Sequence, residues 1–248
     1  MMRTIRKILY RTLPLGGYLR TVSRGFFLCH ALGLGRRSEA MEYVYHLPHL
    51  VRRGDTAIDI GANLGYYARP LARIAGPEGR VYAVEPMPPV AEVLRRNLRG
   101  LANVEILPCA LGAEERTIRM GNASVRTSGY MGTGRNFVNE SGAAADIEYT
   151  AEMRRGSELF AGLERLDFIK CDIEGYETVV MHEMRPLLER FRPTVLIESG
   201  GENRPRIAAL FSALDYDAFT LDRGREVPLA AQSTKDIIFR PRTKRSCE

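Results

Sequence analysis

The chain has 248 residues, which is enough for one large domain or two small ones. About 45% of the residues are apolar, as in ordinary soluble globular proteins. The net charge of +6 is unevenly spread: residues 1–37 hold eight basic residues and no acidic one, whereas the remainder carries 28 basic and 30 acidic residues. This near-neutral remainder excludes a strongly basic, nucleic-acid-binding body, and no nucleic-acid partner is predicted.

The N-terminal segment, residues 1–39, is predicted to be a basic, partly ordered extension that packs on the domain. Its longest apolar piece, GFFLCHALGLG, is too short to span a bilayer and has no signal-peptide cleavage site. The alternative is peripheral contact of residues 1–37 with an anionic membrane surface. Four widely spaced cysteines without a CxxC pair indicate a reducing compartment. The predicted location is therefore cytoplasmic. If residues 1–37 contact a membrane, the protein is expected at the inner face of that membrane.

From residue 55 onward, short apolar pieces alternate with pieces of helical spacing. Strands are predicted at residues 56–60, 80–86, 104–111, 166–171, 193–198, 216–221 and 235–240, and helices at 66–76, 88–100, 174–190 and 204–214. This alternation predicts βαβ units, hence an α/β fold with a doubly wound, mostly parallel sheet and helices on both faces. The last two strands predict an antiparallel addition at one edge.

Residues 112–160 interrupt this alternation. They are Gly-rich and polar in GNASVRTSGYMGTGRNF and then alternate in DIEYTAEM, which is typical of a strand. Insertions of this length are often functional, so this one is predicted to form a lid or an acceptor pocket. A solvated excursion with its own small hairpin is the alternative. The predicted domain covers residues 40–248 and includes the insertion.

The segment AIDIGANLGYYA, residues 57–68, combines an acid with a glycine turn. Gly61 permits a positive φ and a close approach of the backbone to a ligand. The spacing of Gly61 and Gly65 differs from the G-x-G-x-x-G turn that seats a pyrophosphate. Because Asp59 would repel a phosphate, the turn favours a ligand that carries positive charge.

A second acid, Glu85, ends the strand of VYAVEP. An acid at this place in a doubly wound sheet accepts hydrogen bonds from ribose hydroxyls. With the turn at Asp59, it predicts a ribose-bearing ligand with a positive group and no pyrophosphate. S-adenosylmethionine fits this description, and NAD fits it less well. The alternative is that Asp59 caps a helix and Glu85 is a surface acid.

Four segments together, DTAIDIGANLGYYA, VYAVEP, NVEILPCALG and LDFIKCDIEGYE, resemble the FkbM family of S-adenosylmethionine-dependent methyltransferases over roughly residues 40–240. The resemblance implies a class I methyltransferase (Rossmann-like) fold with seven strands, of which the last is antiparallel. It also implies methyl transfer from S-adenosylmethionine, usually to a hydroxyl of a sugar, glycolipid or polyketide.

Cofactor-binding residues follow from this interpretation. They are Asp59, Gly61, Asn63 and Gly65 for the methionine part, Glu85 for the ribose, and Ala110 and Leu111 beside the adenine. The acceptor is predicted to be a small molecule, glycan or lipid, and no oligomeric state is predicted. The alternatives are an NAD(P)-dependent oxidoreductase on a related sheet, or a non-catalytic module that binds the cofactor or a membrane.

Two carboxylates follow the strand in FIKCDIEGYETVV, residues 168–180. Because ligands of open α/β sheets bind at the carboxyl ends of strands, Asp172 and Glu174 are predicted to face the reaction centre as catalytic residues. A carboxylate that removes the proton of an acceptor hydroxyl contributes roughly 10²–10⁴-fold; Asp172 is the first candidate and Glu174 the second.

Two other roles are open for these carboxylates. Asp172 or Glu174 could cap the helix that follows, with Glu177 completing a box-like pair. A divalent cation is the other alternative, with an oxygen-rich set of ligands from two strand ends: Asp172, Glu198, Glu202 and Asn203. No metal is included in the predicted site.

Overall fold

A computed structural model describes residues 2–36, 38, 41–140, 142–230 and 232–242. Ten α-helices lie in these residues: α1 Met2–Thr12, α2 Leu15–Ala31, α3 Glu42–Leu50, α4 Ala68–Ala75, α5 Pro88–Asn97, α6 Ser124–Ser128, α7 Gly156–Leu159, α8 Glu177–Glu183, α9 Arg185–Phe191 and α10 Asn203–Ala213. A 3₁₀ turn covers Thr133–Arg135. The predicted limit between extension and domain, at residues 39 and 40, lies outside the described residues.

Twelve strands lie in the same described part: β1 Thr56–Ile60, β2 Arg80–Val84, β3 Val104–Leu107, β4 Ala110–Leu111, β5 Arg116–Asn122, β6 Asn136–Val138, β7 Ile147–Arg154, β8 Phe168–Cys171, β9 Thr194–Ile197, β10 Tyr216–Asp222, β11 Arg225–Pro228 and β12 Ile237–Pro241. Eight of them form the main sheet in the order β11-β10-β12-β9-β8-β1-β2-β3. Strands β9, β8, β1, β2 and β3 are parallel, which confirms the predicted doubly wound sheet.

The last strand, β12, is antiparallel to both of its neighbours, β9 and β10, as the family resemblance implies. Strands β12, β10 and β11 make up one end of the sheet, which confirms the predicted antiparallel addition at one edge. The edge is formed by β11, an eighth strand that pairs antiparallel with β10. This short polar strand has no apolar run of its own in the sequence, so it could be identified only from its pairing with β10 in the structure.

Prolines correct two predicted elements. The strand predicted at 104–111 divides at Pro108: β3 stays in the main sheet, whereas β4 pairs in parallel with β7. The helix predicted at 174–190 starts only at Glu177 and divides at Met184, since Pro186 stands in the first turn of α9. Proline has no N–H to donate and tolerates only the first turn of a helix.

Helices cover both faces of the main sheet. One core joins alternate side chains of its strands, such as Ile58 and Ile169, to α8, α9 and α10. A second core joins the opposite side chains, such as Ala57 and Phe168, to α3, α4 and α5. The central strands are buried on both faces, which explains their nearly continuous apolar sequences.

Residues 110–154 form the second sheet, in the order β4-β7-β5-β6. A third core joins this sheet to α5 and to the N-terminal helices. Tyr18 and Leu19 of α2 are fully buried in it, and the Tyr18 hydroxyl donates a hydrogen bond to the carbonyl oxygen of Met131 at 3.0 Å. Helix α2 is therefore an integral part of the structure. No described helix is both long enough and apolar enough to cross a membrane.

Candidate active site

Four strands of the main sheet, β1, β2, β8 and β9, end at the same level, because their last residues are register partners. The residues that follow these ends lie side by side: Gly61, Glu85, Asp172 and Glu198. Backbone hydrogen bonds extend the alignment by one residue. The Asp172 N–H donates to the oxygen of Ile60 at 3.1 Å, and the Glu198 N–H donates to that of Cys171 at 3.0 Å.

The turns after β1 and β8 are in direct contact. Gly61 has a φ of 78°, and a Cβ atom there would overlap the carbonyl oxygen of Asp172. Only glycine permits both this φ and this approach. Gly65 also has a positive φ, and its missing Cβ makes room for Leu94 of α5. The first glycine joins the two turns, while the second packs the turn on a helix.

A small cavity of about 50 Å³ lies at these strand ends. Seven of the predicted site residues line it: Gly61, Asn63, Glu85, Ala110, Leu111, Asp172 and Glu174. The other two predicted residues, Asp59 and Gly65, line neither this cavity nor its larger neighbour. The outer wall comes from the second sheet and its 3₁₀ turn, including Thr133 and Asn136.

Glu85 is buried, and each of its carboxylate oxygens accepts one backbone hydrogen bond. Oε2 accepts from the N–H of Asn63 and Oε1 from that of Met87, both at 2.9 Å. Burial raises the pKa of Glu85 to about 7, although these two hydrogen bonds act in the opposite direction. A carboxylate oxygen has a second lone pair, so both oxygens can still accept a hydrogen bond from a ligand.

Lys170 is a site residue that the sequence analysis missed. Its Nζ lies 3.1 Å from Asp172 Oδ2, 3.9 Å from Asp59 Oδ1 and 4.9 Å from the centre of the Tyr67 ring. Burial alone would lower its pKa, but the carboxylates of Asp172 and Asp59 outweigh burial and raise it. The lysine is therefore charged, and it holds the Asp172 carboxylate in place.

Asp59 is completely buried beside this lysine. Burial raises the pKa of Asp59 to about 6, against the opposing effect of Lys170. The positive charge that Asp59 was predicted to attract from a ligand is thus already supplied by the chain. The signal in the sequence was the alternation of side chains in β8, which places Lys170 and Phe168 on the face that also carries Asp59.

A larger cavity of about 590 Å³ adjoins the small one and shares four lining residues with it: Asn63, Thr133, Gly134 and Asp172. On one side it carries the carboxylates of Asp172, Glu198 and Asp236. The charge of Asp172, with burial and Asp236 adding, raises the pKa of Glu198 to about 8. Burial and Asp172 raise the pKa of Asp236 to about 7. This side of the cavity favours a cationic ligand.

Basic residues also line the larger cavity. They are Arg3 and Arg6 of α1, Arg135 of the 3₁₀ turn and Lys235. Lys235 is 3.0 Å from Glu42, whereas the three arginines form no ion pair with any described acidic residue. The cavity is therefore lined by both acidic and basic side chains.

Helix capping by Asp172 or Glu174 is not what the structure shows. Helix α8 begins at Glu177 after Tyr176, which makes no side-chain cap. The Glu177 carboxylate instead accepts hydrogen bonds from the N–H groups of Ile173 and Gly175, each at 3.0 Å. This leaves Asp172 free to line both cavities. Glu174 is held at a φ of 55°, and partial burial and Asp172 raise its pKa.

Of the oxygen-rich set considered for a cation, Asp172 and Glu198 lie side by side, whereas the other two members do not join them as ligands. Asn203 uses its side-chain N–H to donate to the oxygen of Gly175 at 2.8 Å, and Glu202 is an exposed residue just before α10. Across the described parts of the chain, no three His, Cys, Asp or Glu side chains are grouped as metal ligands.

Comparisons with known proteins agree with this geometry. Residues 59–226 match the methyltransferase FkbM domain. The chain is 26% identical over 201 residues to methyltransferase sdnD of Sordaria araneosa, covering 69% of this chain and 76% of the relative. It is 36% identical over 80 residues to a protein-L-isoaspartate O-methyltransferase of Ignicoccus hospitalis, covering 31% of this chain and 38% of that protein.

The fold is similar to a crystal structure of methyltransferase FkbM from Methylobacillus flagellatus, with a TM-score of 0.51 and 14% identity; the match covers 77% of this chain and 44% of that one. This chain therefore spans less than half of the Ignicoccus and Methylobacillus proteins it matches. The fold and the family match together identify residues 59–226 as a class I methyltransferase domain of an S-adenosylmethionine-dependent family. The chain belongs to the FkbM methyltransferase family, because the family match covers more than half of it. The oxidoreductase alternative is thereby overturned.

The residues at the strand ends fit S-adenosylmethionine chemically. The Asn63 Oδ1 atom is buried and accepts no hydrogen bond from the described residues, and Glu85 has unused lone pairs. The small cavity, however, is far below the roughly 300–1,000 Å³ of usual cofactor sites. Room for an adenosine would have to come from the adjoining larger cavity or from an outward movement of the wall at residues 133–138.

Proposed function

We propose that this protein transfers a methyl group from S-adenosylmethionine to a hydroxyl of a sugar, glycolipid or polyketide-like acceptor. One observation carries the proposal: Asp172, fixed by Lys170, lines both the cofactor-side cavity and the larger cavity. Methyl transfer needs the acceptor oxygen, methyl carbon and sulfur in line, and positioning supplies much of its rate. A residue at the junction of two cavities is suited to that alignment.

The small cavity supports the cofactor half of the proposal. Glu85 would accept hydrogen bonds from the ribose, Ala110 and Leu111 would flank the adenine, and Asn63 with Gly61 would contact the methionine part. Asp59 and Gly65 would act indirectly, through Lys170 and through the packing of the turn. When bound, S-adenosylmethionine supplies an electrophilic methyl group.

Asp172 is proposed as the residue that takes the hydroxyl proton. Its Oδ2 atom accepts a hydrogen bond from Lys170, which leaves other lone pairs of the carboxylate for the acceptor. Glu198, whose pKa is raised to about 8, is protonated at neutral pH. It can share a proton with Asp172 without removing that carboxylate's ability to accept one. Glu174 remains the second candidate.

The charge of the larger cavity favours a hydroxyl over a carboxylate as the methyl acceptor. An acceptor carboxylate would have to approach the Asp172 carboxylate, and like charges repel at such distances. A neutral hydroxyl avoids this repulsion. Arg3, Arg6 and Arg135, which line the same cavity, would hold an anionic group of the acceptor, such as a phosphate or a distant carboxylate.

A labelled-transfer experiment tests the proposal. The purified full chain is incubated with S-adenosylmethionine carrying a deuterated methyl group and with extracts of glycans, lipids and small molecules. Products are then detected by a mass increase. Treatment with mild base separates the product classes, because methyl ethers survive and methyl esters hydrolyse. We expect base-stable label with the wild type, and a large loss of label with Asp172→Asn.

Base-labile label would contradict the hydroxyl acceptor while leaving methyl transfer intact. If calorimetry detects binding of S-adenosylhomocysteine but wild type and Asp172→Asn label every fraction only at background, the chain is a non-catalytic binding module. Arg6→Gln should raise KM for an anionic acceptor and leave kcat unchanged, and an unchanged KM would remove the arginines from the acceptor site.

A further inference from the structure

A basic groove lies between α2 and the helices α3, α4 and α5. Its volume is about 1340 Å³. Among the residues that the structure describes, its walls contain seven arginines and no acidic residue: Arg20, Arg24, Arg36, Arg69, Arg73, Arg96 and Arg99. We call it the arginine groove. It shares Val44 with the larger active-site cavity but none of that cavity's charged residues.

Counter-charges are scarce in the arginine groove. Arg96 lies 2.7 Å from Glu92 on the same helix, and the other six form no ion pair with a described acidic residue. Arg69 stacks on the ring of Phe27 at 4.6 Å instead. Such a set of like charges is favourable only if anions from outside the chain reach it.

The pKa shifts of groups in the groove report the same positive field. Burial, followed by the charges of Arg73 and Arg36, lowers the pKa of His30. Burial and the charge of Arg73 lower the pKa of Arg69. A ligand with several negative charges would offset the part of each effect that comes from the arginine charges. Phosphate groups fit, because guanidinium groups bind phosphate oxygens in a bidentate way.

Large apolar side chains lie at the rim of the arginine groove. Leu28, which lines it, is 61% exposed, and Leu32 and Leu34 in the turn after α2 are 63% and 53% exposed. This turn is fixed, since the Tyr45 hydroxyl is 2.8 Å from the oxygen of Leu34 and 3.1 Å from that of His30. A soluble phosphate compound would leave these leucines in water, whereas a lipid surface would bury them.

Helix α1 shows the same combination of charge and apolar surface. Ile5 and Ile8 are exposed, and the helix has basic residues but no acidic one. Basic helices with exposed apolar side chains are typical of proteins that lie in the interface of a membrane.

We propose that the arginine groove is a docking site for an anionic phospholipid membrane. Lipid phosphates would bind between the guanidinium groups of α2, α4 and the end of α5, while Leu28, Leu32 and Leu34 enter the headgroup layer. The cytoplasmic leaflet, which carries the anionic lipids, is the matching surface. This site is separate from the methyl-transfer site and does not depend on the proposed acceptor.

Vesicle co-sedimentation tests the docking site with point variants of the full chain, because removing α2 would expose the buried Tyr18 and Leu19. The groove variant Arg20→Gln/Arg24→Gln/Arg73→Gln is compared with Arg206→Gln/Arg223→Gln/Arg225→Gln. The control removes the same charge from exposed arginines of α10 and the β10–β11 turn. With vesicles of phosphatidylcholine and phosphatidylglycerol we expect wild type and control to bind, and the groove variant to bind about 100-fold more weakly, at roughly fivefold per arginine. Binding should fall at high salt and be absent with pure phosphatidylcholine.

A second variant, Leu28→Ser/Leu32→Ser, separates a membrane from a soluble anion. It should weaken vesicle binding and leave binding of inorganic polyphosphate unchanged. Equal vesicle binding by groove and control variants would overturn the proposal, as would equal binding to neutral vesicles. The proposal would also be overturned if the leucine variant bound vesicles as tightly as the wild type does and polyphosphate or RNA bound as tightly as vesicles. That result would identify a soluble polyanion as the ligand.

Discussion

The carboxyl edge of the main sheet and the arginine groove show two ways of placing charge in one chain. At the edge, Asp59 and Asp172 are balanced by the buried Lys170. In the groove, arginines lie together with one acidic partner, Glu92, among the described residues. Paired charges hold each other in a fixed geometry, and a catalytic carboxylate needs such a geometry. Unpaired arginines are instead stabilised only when an anion from outside the chain binds to them. The net charge of +6 does not show that paired and unpaired charges lie in different regions of the chain.

The largest expected effect concerns chemistry at the acidic edge. Asp172→Asn keeps the shape of the side chain but removes its ability to take a proton, so kcat should fall by roughly 10²–10⁴-fold. The Kd for S-adenosylhomocysteine should change by less than about threefold, because Glu85 and Asn63 remain. The groove variant, assayed with a water-soluble acceptor, should keep wild-type kcat. If both variants lost activity equally, the two charged regions would not be functionally separate.

Removing the counter-charge of the acidic edge comes next. Lys170→Met leaves Asp59 and Asp172 without their buried cation, and breaking such a pair costs roughly 3–5 kcal/mol. Urea unfolding at pH 8 would measure it. Arg24→Gln, which loses the same charge in the groove, should change stability by less than about 0.5 kcal/mol. Similar losses for both would mean that Lys170 is not a paired charge. The double variant Lys170→Met/Asp59→Asn should recover part of the loss.

The third prediction concerns cofactor binding at Glu85. Glu85→Gln replaces one acceptor oxygen by an NH₂ group. This group would face a backbone N–H, and the variant would lose one hydrogen bond to the ribose. Hydrogen bonds to charged groups contribute about 1.5–3 kcal/mol, so calorimetry should give a Kd for S-adenosylhomocysteine that is about 10- to 100-fold higher. Glu105→Gln, an exposed acid of β3, serves as the control. An unchanged Kd in Glu85→Gln would remove Glu85 from the cofactor site.

The smallest effect is a pH dependence. Five carboxyl groups of the edge have raised pKa values: about 6 for Asp59, about 7 for Glu85, Glu174 and Asp236, and about 8 for Glu198. They ionise as pH rises from 6 to 8, so a cation should bind more tightly at pH 8, by at most about tenfold per pH unit for each proton released. Calorimetry at both pH values should show a larger change for S-adenosylmethionine than for S-adenosylhomocysteine, which lacks the sulfonium charge. Equal changes would contradict a role of these carboxylates in binding the sulfonium.

The same groups determine how stability depends on pH. Their pKa values in the folded chain lie above the ordinary values near 4, which apply to the unfolded chain. The folded state therefore holds more protons than the unfolded state between pH 4 and 8. Its free energy of unfolding should fall as pH rises through this window. Thermal unfolding without ligand at pH 5.5 and pH 8 measures this contribution.

Local sequence was sufficient to find the residues at strand ends. Asp59, Glu85 and Asp172 each follow or end a short apolar run, and parallel strands bring such ends to one edge of a sheet. Lys170 was missed because a single lysine in FIKC does not change the apolar pattern of a strand. Its role depends on Asp59, more than one hundred residues earlier, which only the register of β1 and β8 brings close.

Features that depend on pairing between distant segments of the chain were harder to predict from the sequence. The parallel pairing of β4 with β7 turned residues 110–154 into a second sheet, whereas the sequence left a lid, a pocket or a hairpin open. The arginine groove needed the packing of α2 against α4 and α5. Arg20 and Arg24 belong to the basic extension seen in the sequence, but Arg69 and Arg73 lie in α4 and Arg99 in the turn after α5.

The contact of Gly61 with the backbone of Asp172 limits how this protein can be engineered. A change of acceptor specificity would normally be sought by grafting the loop after β8 from a relative. Here any graft that moves the backbone of residue 172 toward Gly61 also displaces the turn at Gly61. That turn forms one wall of the cofactor cavity, so the wall would move as well. Recombination should therefore exchange the two turns as one unit, while the second sheet offers positions for redesign that leave this contact unchanged.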